Sequence, residues 1–161
     1  YADMAASVDR SLKDSLADLT SWVFKSDTDE MTSKTTRFAF VQSSNTFALG
    51  FPYEGEQRAR LTVRRHPRMG LDILLEIERG QFNCRVSDTS FPVRFDSRQP
   101  REWGINEPAD SGNTTTVFFA DAEALLERIR DARKMRVEAS IYGHGNIVME
   151  FDVHGFRWPK S

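Results

Sequence analysis

Histidine side chains are the first groups through which this sequence could do chemistry, because clustered imidazoles can hold a metal ion. The three histidines, His66, His144 and His154, lie in or beside predicted turns. His144 and His154 could meet at the end of a hairpin and bind zinc, with Asp152 close by. The sequence has no helical histidine pair and no Cys–His cluster, and turn histidines are usually solvated. We therefore predict no metal site.

Cys84, the single cysteine of the chain, would be a nucleophile if a base and an electropositive, partly open site activated its thiol. It lies in a predicted strand over residues 81–86, and no neighbouring residue supplies such a base. A lone cysteine inside a strand is typical of a small core residue. We predict that Cys84 is buried and takes no part in catalysis.

Carboxylates on predicted strands are the remaining candidates for catalysis. Two of them could converge as a glycosidase pair, although charges on the outer faces of strands are normally solvated. The candidates are Glu76, Glu78, Glu138, Glu150 and Asp152. The Gly143-His144-Gly145 sequence is followed by a strand and not by a helix, so it fits a tight turn better than a dinucleotide site. We predict no catalytic residue, no cofactor and no enzymatic activity.

The elements that must position these side chains are mostly strands in which apolar and polar residues alternate. Arginines oppose glutamates in a predicted hairpin over residues 57–65 and 71–78, which gives these arginines a cross-strand pairing role. Phe38 and Phe40 share one face of a strand that starts at Arg37. The other predicted elements are a helix over 4–19, a loop over 25–35, strands over 81–86, 91–95 and 115–119, a long loop over 96–114, a helix over 122–134 with Asp121 as its N-cap, and a hairpin over 135–141 and 147–153.

Strands and helices do not alternate regularly in this order, which argues against a doubly wound parallel sheet. We expect a mainly β fold of the α+β class. Its form is an antiparallel β-sandwich or curved sheet, with an N-terminal helix and one helix before a C-terminal hairpin. Residues 1–20 are then an N-terminal helix or linker, and residues 21–161 are a single strand-rich domain. The apolar stripe of residues 4–19 could also support self-association.

Composition excludes several classes of protein for this chain of 161 residues. Hydrophobic residues make up 39%, with 12 Phe and 3 Trp, so the chain is not a disordered one. A formal net charge of -2 argues against a general nucleic-acid binder. Arginines do cluster over residues 58–68, but the aromatic residues fall on the inward phase of the strands. No apolar run approaches the ~18 residues of a transmembrane helix.

A series of short motifs, in this order, resembles a group of uncharacterised bacterial proteins that are often exported to the envelope or lipid-anchored. The motifs fall within residues 20–159 and include Phe51-Pro52-Tyr53-Glu54-Gly55, Gly80-Gln81-Phe82-x-Cys84, Val93-Arg94-Phe95-Asp96 and Gly155-Phe156-x-Trp158. The resemblance implies an exported domain of sandwich type in the periplasm or cell envelope, with residues 4–19 as a linker helix. Ser90 and Phe91 stand where a second cysteine can follow in that group, so the resemblance implies no disulfide. It brings no catalytic residue.

These observations favour a non-enzymatic binding module of the bacterial cell envelope, periplasmic or derived from a lipoprotein, whose partner is another protein. Trp and Arg are frequent at the centres of protein interfaces. We therefore predict binding residues Tyr53, Arg64, Trp103 and Asp110, the last two in the loop over 96–114. One alternative is an inhibitor or immunity protein that blocks a toxin or cell-wall hydrolase. A second is an enzyme that acts on envelope polysaccharide through a carboxylate pair.

Overall fold

Strands dominate the chain in the computed structural model, which describes residues 20–84, 89–108 and 115–158. The described strands are β1 (Val23–Thr28), β2 (Thr35–Gln42), β3 (Phe47–Gly50), β4 (Tyr53–Gln57), β5 (Arg60–His66), β6 (Gly70–Glu76), β7 (Ser90–Phe95), β8 (Arg101–Asn106), β9 (Thr116–Phe119), β10 (Lys134–Ile141) and β11 (Gly145–Asp152). One helix, α1 (Ala122–Asp131), separates β9 from β10. The predicted helix over 4–19 and the candidate Asp110 lie outside the described residues.

Nine of these strands form one antiparallel sheet in the order β1-β2-β5-β6-β9-β8-β7-β10-β11. The hairpin of β3 and β4 makes a separate two-stranded sheet. Alternation explains the burial, since Met135, Val137, Ala139 and Ile141 of β10 are buried and the residues between them are partly exposed. The predicted mainly β, antiparallel fold of the α+β class is confirmed.

Helix α1 closes part of the core that the sheet leaves open. Leu125, Leu126 and Ile129 are buried in the same cluster as the inward side chains of the strands. The Asp121 carbonyl accepts a hydrogen bond from the Leu125 amide at 3.0 Å, but the Asp121 side chain makes no cap bond. Asp121 is therefore the N-cap residue, as predicted, but it caps the helix without its side chain. The helix ends at Asp131, earlier than the predicted residue 134, and Ala132 is already extended.

Both hairpins that the sequence predicts are present, and the first has the predicted pairing of arginines with acidic residues. In the first, Arg60 opposes Glu76 and Arg64 opposes Asp72, and both pairs form salt bridges. The second joins β10 to β11 through the turn at residues 142–144. Opposite charges directly across two strands contribute roughly 0.2–1 kcal/mol per pair. The charges of the first hairpin therefore help to set its register.

Strand β1 occupies part of the segment that the sequence predicts as a loop over 25–35. Among the described strands it pairs with β2 alone, at the edge of the sheet, and most of its residues are exposed. Only Phe24 of this strand packs against the core. A strand with one inward residue shows no alternating pattern, so its polar composition predicts a loop. In β2, the buried residues are Ala39 and Val41. Phe38 and Phe40 lie on the other face, where the Phe40 ring contacts the cations of neighbouring side chains.

The predicted long loop over 96–114 is wrong, because β8 occupies Arg101–Asn106. Gly104 and charged residues make this segment look irregular, but the alternate residues Trp103 and Ile105 are buried. The predicted strand over 81–86 is reduced, in the described residues, to one bridge between Phe82 and Ile141. Cys84 is buried, as predicted.

Hydrogen bonds from residues 20–22 and 43–45, made by side chains and by one backbone amide, join the two ends of the curled nine-stranded sheet. Asn45 acts like a strand residue: its Nδ2 donates to the Val148 carbonyl at 2.8 Å, and its Oδ1 accepts from the Glu150 amide at 2.8 Å. The Ser44 amide donates to the Glu150 carbonyl at 2.7 Å. Trp22 Nε1 donates to the Val153 carbonyl at 2.9 Å. We call this set of contacts the sheet junction.

We expect Asn45→Ala to lower the free energy of unfolding by about 1–3 kcal/mol, because two backbone groups of β11 lose their partner. Chemical denaturation measures this loss, and hydrogen exchange at the Glu150 amide should accelerate. Asn146→Ala is the matched control, since the Asn146 side chain is exposed and makes one long bond to Glu138 at 3.4 Å. Equal losses for the two variants would contradict a role for Asn45 in joining the sheet.

Candidate binding surfaces

The structure places Tyr53, Arg64 and Trp103 on three different strands, β4, β5 and β8. Strands β6 and β9 lie between β5 and β8 in the sheet, and β4 belongs to the smaller sheet. No hydrogen bond, ion pair or ring contact joins any two of these three residues in the described part of the chain. They do not form one site there.

Trp103 is a core residue. Its side chain is 4% exposed, and its Nε1 donates to the Ala120 carbonyl at 2.6 Å. The Arg101 guanidinium lies 4.8 Å from the ring centroid and covers one side of it. An interface anchor must present its ring to a partner, so the predicted role of Trp103 does not fit its burial.

Arg64 is engaged within its own hairpin. Its guanidinium lies 2.6 Å from the carboxylate of Asp72, and both side chains are about one-third exposed. Its charge is therefore compensated by Asp72 before any partner arrives.

Tyr53 lies in a surface that sequence reasoning identified only in part. Its ring is 5.8 Å from that of His144 in the β10–β11 turn. Phe51, two residues earlier, is 85% exposed, and Tyr142 is 56% exposed. We call Phe51, Tyr53, Tyr142 and His144 the aromatic tip. The sequence signal for Phe51 was its position between Gly50 and Pro52, because an aromatic residue inside a turn has little core to enter.

Buried polar contacts hold the β3–β4 hairpin that carries Phe51. Gln57 is 3% exposed; its Nε2 donates to the Arg79 carbonyl at 2.8 Å, and its Oε1 accepts from the Glu78 and Arg79 amides. The Arg79 guanidinium donates back to the Glu56 carbonyl at 3.1 Å. Leu49 packs against Gly80, where a Cβ would lie 2.6 Å from Leu49 Cδ1. These contacts fix the base of the hairpin.

Three of the five candidate catalytic carboxylates form ion pairs, and one of these, Glu78, pairs with Arg79 at 3.3 Å. Glu76 pairs with Arg60, and Glu150 pairs with Lys134 at 3.2 Å and Arg136 at 3.1 Å. His144 and His154 flank β11 and are separated by roughly 30 Å of extended chain at ~3.3 Å per residue, so they do not meet. No group of three or more His, Cys, Asp or Glu residues within 20–84, 89–108 and 115–158 could hold a metal ion.

An open cleft of about 380 Å³ lies where β10 begins, beside the β7–β8 turn. We call it the basic cleft, and it is lined by Arg94, Asp96, Ser97, Arg133, Lys134 and Arg136. Asp96 Oδ1 accepts hydrogen bonds from the backbone amides of Arg133 and Lys134 at 3.0 and 2.9 Å. This carboxylate therefore serves the backbone. No sequence pattern indicates that Arg94 lies beside the cations of residues 133–136.

Glu150 is held ionised at the edge of the basic cleft. A hydrogen bond from Lys134 lowers the pKa of Glu150 below its ordinary value, and Arg136 acts in the same direction. Partial burial opposes them without reversing the effect. A general acid for glycoside hydrolysis needs a raised pKa. The environment of Glu150 thus favours a fixed anion.

We expect Glu150→Gln to lower the free energy of unfolding at neutral pH by about 0.5–1 kcal/mol, through loss of its ion pairs. Because the folded pKa is depressed, the stabilisation is present above the ordinary glutamate pKa of about 4.3 and disappears as pH falls through the folded value. Denaturation curves of both proteins should converge in acid. Glu54→Gln, a change at an exposed position, should alter neither the free energy of unfolding nor its pH dependence. If Glu150→Gln remained less stable than the parent below the folded pKa, this account would be contradicted.

Comparison with known proteins gives a likeness in fold. The helix within the described residues lacks the length and apolarity to span a bilayer. No protein-family model and no curated protein matches the chain. A solved structure of invasion associated protein b from Bartonella henselae is similar with a TM-score of 0.51 and 12% identity, covering 85% of this chain and 87% of that chain. At this identity, the chain shares with that protein its fold.

Proposed function

We propose that this chain is a non-enzymatic protein-binding module and that the aromatic tip is the surface by which it contacts its partner. The observation that carries the proposal is the 85% exposure of Phe51 at the end of a fixed hairpin. Exposed aromatic residues cost free energy in water, and such residues dominate binding energies when a partner covers them. Tyr53, two residues later in the chain, contacts the ring of His144 in the β10–β11 turn.

The base of the hairpin reduces the entropic cost of binding. Gln57, Arg79 and the close packing of Leu49 on Gly80 order the strands before a partner arrives. A surface that is already ordered loses little conformational freedom on association. Most of the free energy gained by burying Phe51 on binding can therefore appear as affinity.

The charges beside Phe51 specify the chemistry of the partner. Glu54 and Glu56 are exposed on β4, next to the tip. Electrostatic complementarity then favours an apolar pocket with basic groups at its rim. This is the partner surface that we propose.

We place this activity in the bacterial cell envelope, periplasmic or lipid-anchored. The order of the short motifs along residues 20–159 supports this location, because the same order occurs in the group of often exported proteins that the sequence resembles. Fractionation of cells that express the full-length gene tests it, because recovery in the cytoplasm would exclude an envelope role.

The exposure of Phe51 also favours a second candidate, an inhibitor or immunity protein. An exposed Phe51 on an ordered hairpin could enter the cleft of a toxin or cell-wall hydrolase, as pre-organised inhibitors do. Activity of the purified target in the presence of the chain separates this candidate from simple binding.

We expect Phe51→Ala to weaken binding to the partner at least tenfold, because a central aromatic contact contributes about 2 kcal/mol or more. A photoreactive amino acid at position 51 captures the partner, which is then purified and titrated by calorimetry. Met31→Ala is the control, because Met31 is 92% exposed in the β1–β2 turn.

Capture alone does not support the proposal; the affinity loss does. Equal affinity of the parent chain and Phe51→Ala, or an equal loss with Met31→Ala, would refute the aromatic tip as the contact surface. If the captured protein were a second copy of this chain, the aromatic tip would be a self-association surface and not a site for a foreign partner.

A further inference from the structure

We infer that the basic cleft is a second binding site, which takes adjacent carboxylates from an acidic segment of a partner protein. It is separate from the aromatic tip, because it is built by the β7–β8 turn and the start of β10. The inference therefore does not depend on Phe51.

The cleft holds more positive charge than its own carboxylates compensate. Four cationic side chains line it, namely Arg94, Arg133, Lys134 and Arg136, together with one carboxylate, Asp96. Glu150 pairs with Lys134 and Arg136 from β11. The side chains of Arg94 and Arg133 have no carboxylate partner among the described residues. An anion that enters the cleft finds these two guanidiniums available.

The sheet register adds a second, independent observation. Arg94 of β7 lies directly opposite Arg136 of β10. Like charges at such positions destabilise a sheet, because their Cβ atoms are only about 4.5–5.5 Å apart. Glu150, directly opposite Arg136 on the far side, compensates one member of the pair. A bound carboxylate would compensate the other.

Arg94 is already oriented for such a ligand. Its Nε donates to the Arg98 carbonyl at 2.9 Å, and its Nη2 donates to the Ser97 carbonyl at 3.4 Å. These bonds hold the guanidinium against the turn and leave Nη1 free of described partners. A planar, fixed guanidinium matches the geometry of a carboxylate and loses little entropy on binding it.

Charge elsewhere favours a short acidic segment over a long polyanion. The whole chain carries a formal net charge of -2, which repels a polyanion at long range. Exposed Glu102, Asp131 and Asp152 lie on β8, at the end of α1 and at the end of β11, the elements that adjoin the cleft. A nucleic acid that extends past the cleft would meet these carboxylates.

The test is fluorescence anisotropy with a labelled short peptide of alternating Asp and Glu at low ionic strength. We expect the full chain to bind this peptide and not its Asn/Gln counterpart. Arg94→Gln and Arg133→Gln should each weaken binding on the order of tenfold, as loss of a charge-assisted hydrogen bond predicts. Arg133 is exposed, and its side chain makes no described bond, so Arg133→Gln keeps the test valid if Arg94→Gln unfolds.

Matched controls separate this site from general attraction and from the aromatic tip. Arg68→Gln removes an exposed arginine from the β5–β6 turn, and Phe51→Ala alters the tip; both should bind the peptide as the parent does. An equal loss with Arg68→Gln, no binding by the parent, or tighter binding of a thymidine oligonucleotide of the same charge would overturn the inference.

Discussion

The junction between the two ends of the nine-stranded sheet is the constraint on which the rest of the structure depends. The inward face of the sheet is apolar, so the sheet must curl to bury it. Curling brings the end of β2 to β11, where strand backbone would otherwise lack partners. Asn45 supplies hydrogen-bond partners through its side-chain amide, and Ser44 supplies one through its backbone amide. The junction thus replaces strand pairing at the place where the sheet meets itself.

Both candidate surfaces take their positions from this junction. The loop over 43–45 leads directly into β3, so it sets where the hairpin with Phe51 begins. Glu150, whose backbone is held by Asn45, directs its side chain to Lys134 and Arg136 at the basic cleft. One residue therefore links the closure of the core to the charge balance of the cleft. A change at the junction would disturb both surfaces together.

The sequence was sufficient for the fold class and for elements that pair locally. Arg60 with Glu76 and Arg64 with Asp72 lie in one hairpin, so alternation and charge together predict that arginines of one strand face carboxylates of the other. Strand β1 and Trp103 escaped prediction for different reasons. Strand β1 is exposed on an edge, where burial imposes no pattern. Trp103 lies between Glu102 and Gly104, so only its place in the sheet shows that it is buried.

The basic cleft could not be read from the sequence because its charges meet through a pairing that is not local. Arg94 and Arg136 belong to β7 and β10, which are separated in the chain by β8, β9 and α1. In the hairpin of β5 and β6, opposite residues are close in sequence, so arginines on one strand and carboxylates on the next can be recognised as partners. The charged residues of β7 or of β10, taken separately, do not indicate that the two strands are neighbours. The two arginines become significant only when the sheet order places them opposite each other, with a carboxylate on one side and an open cleft on the other.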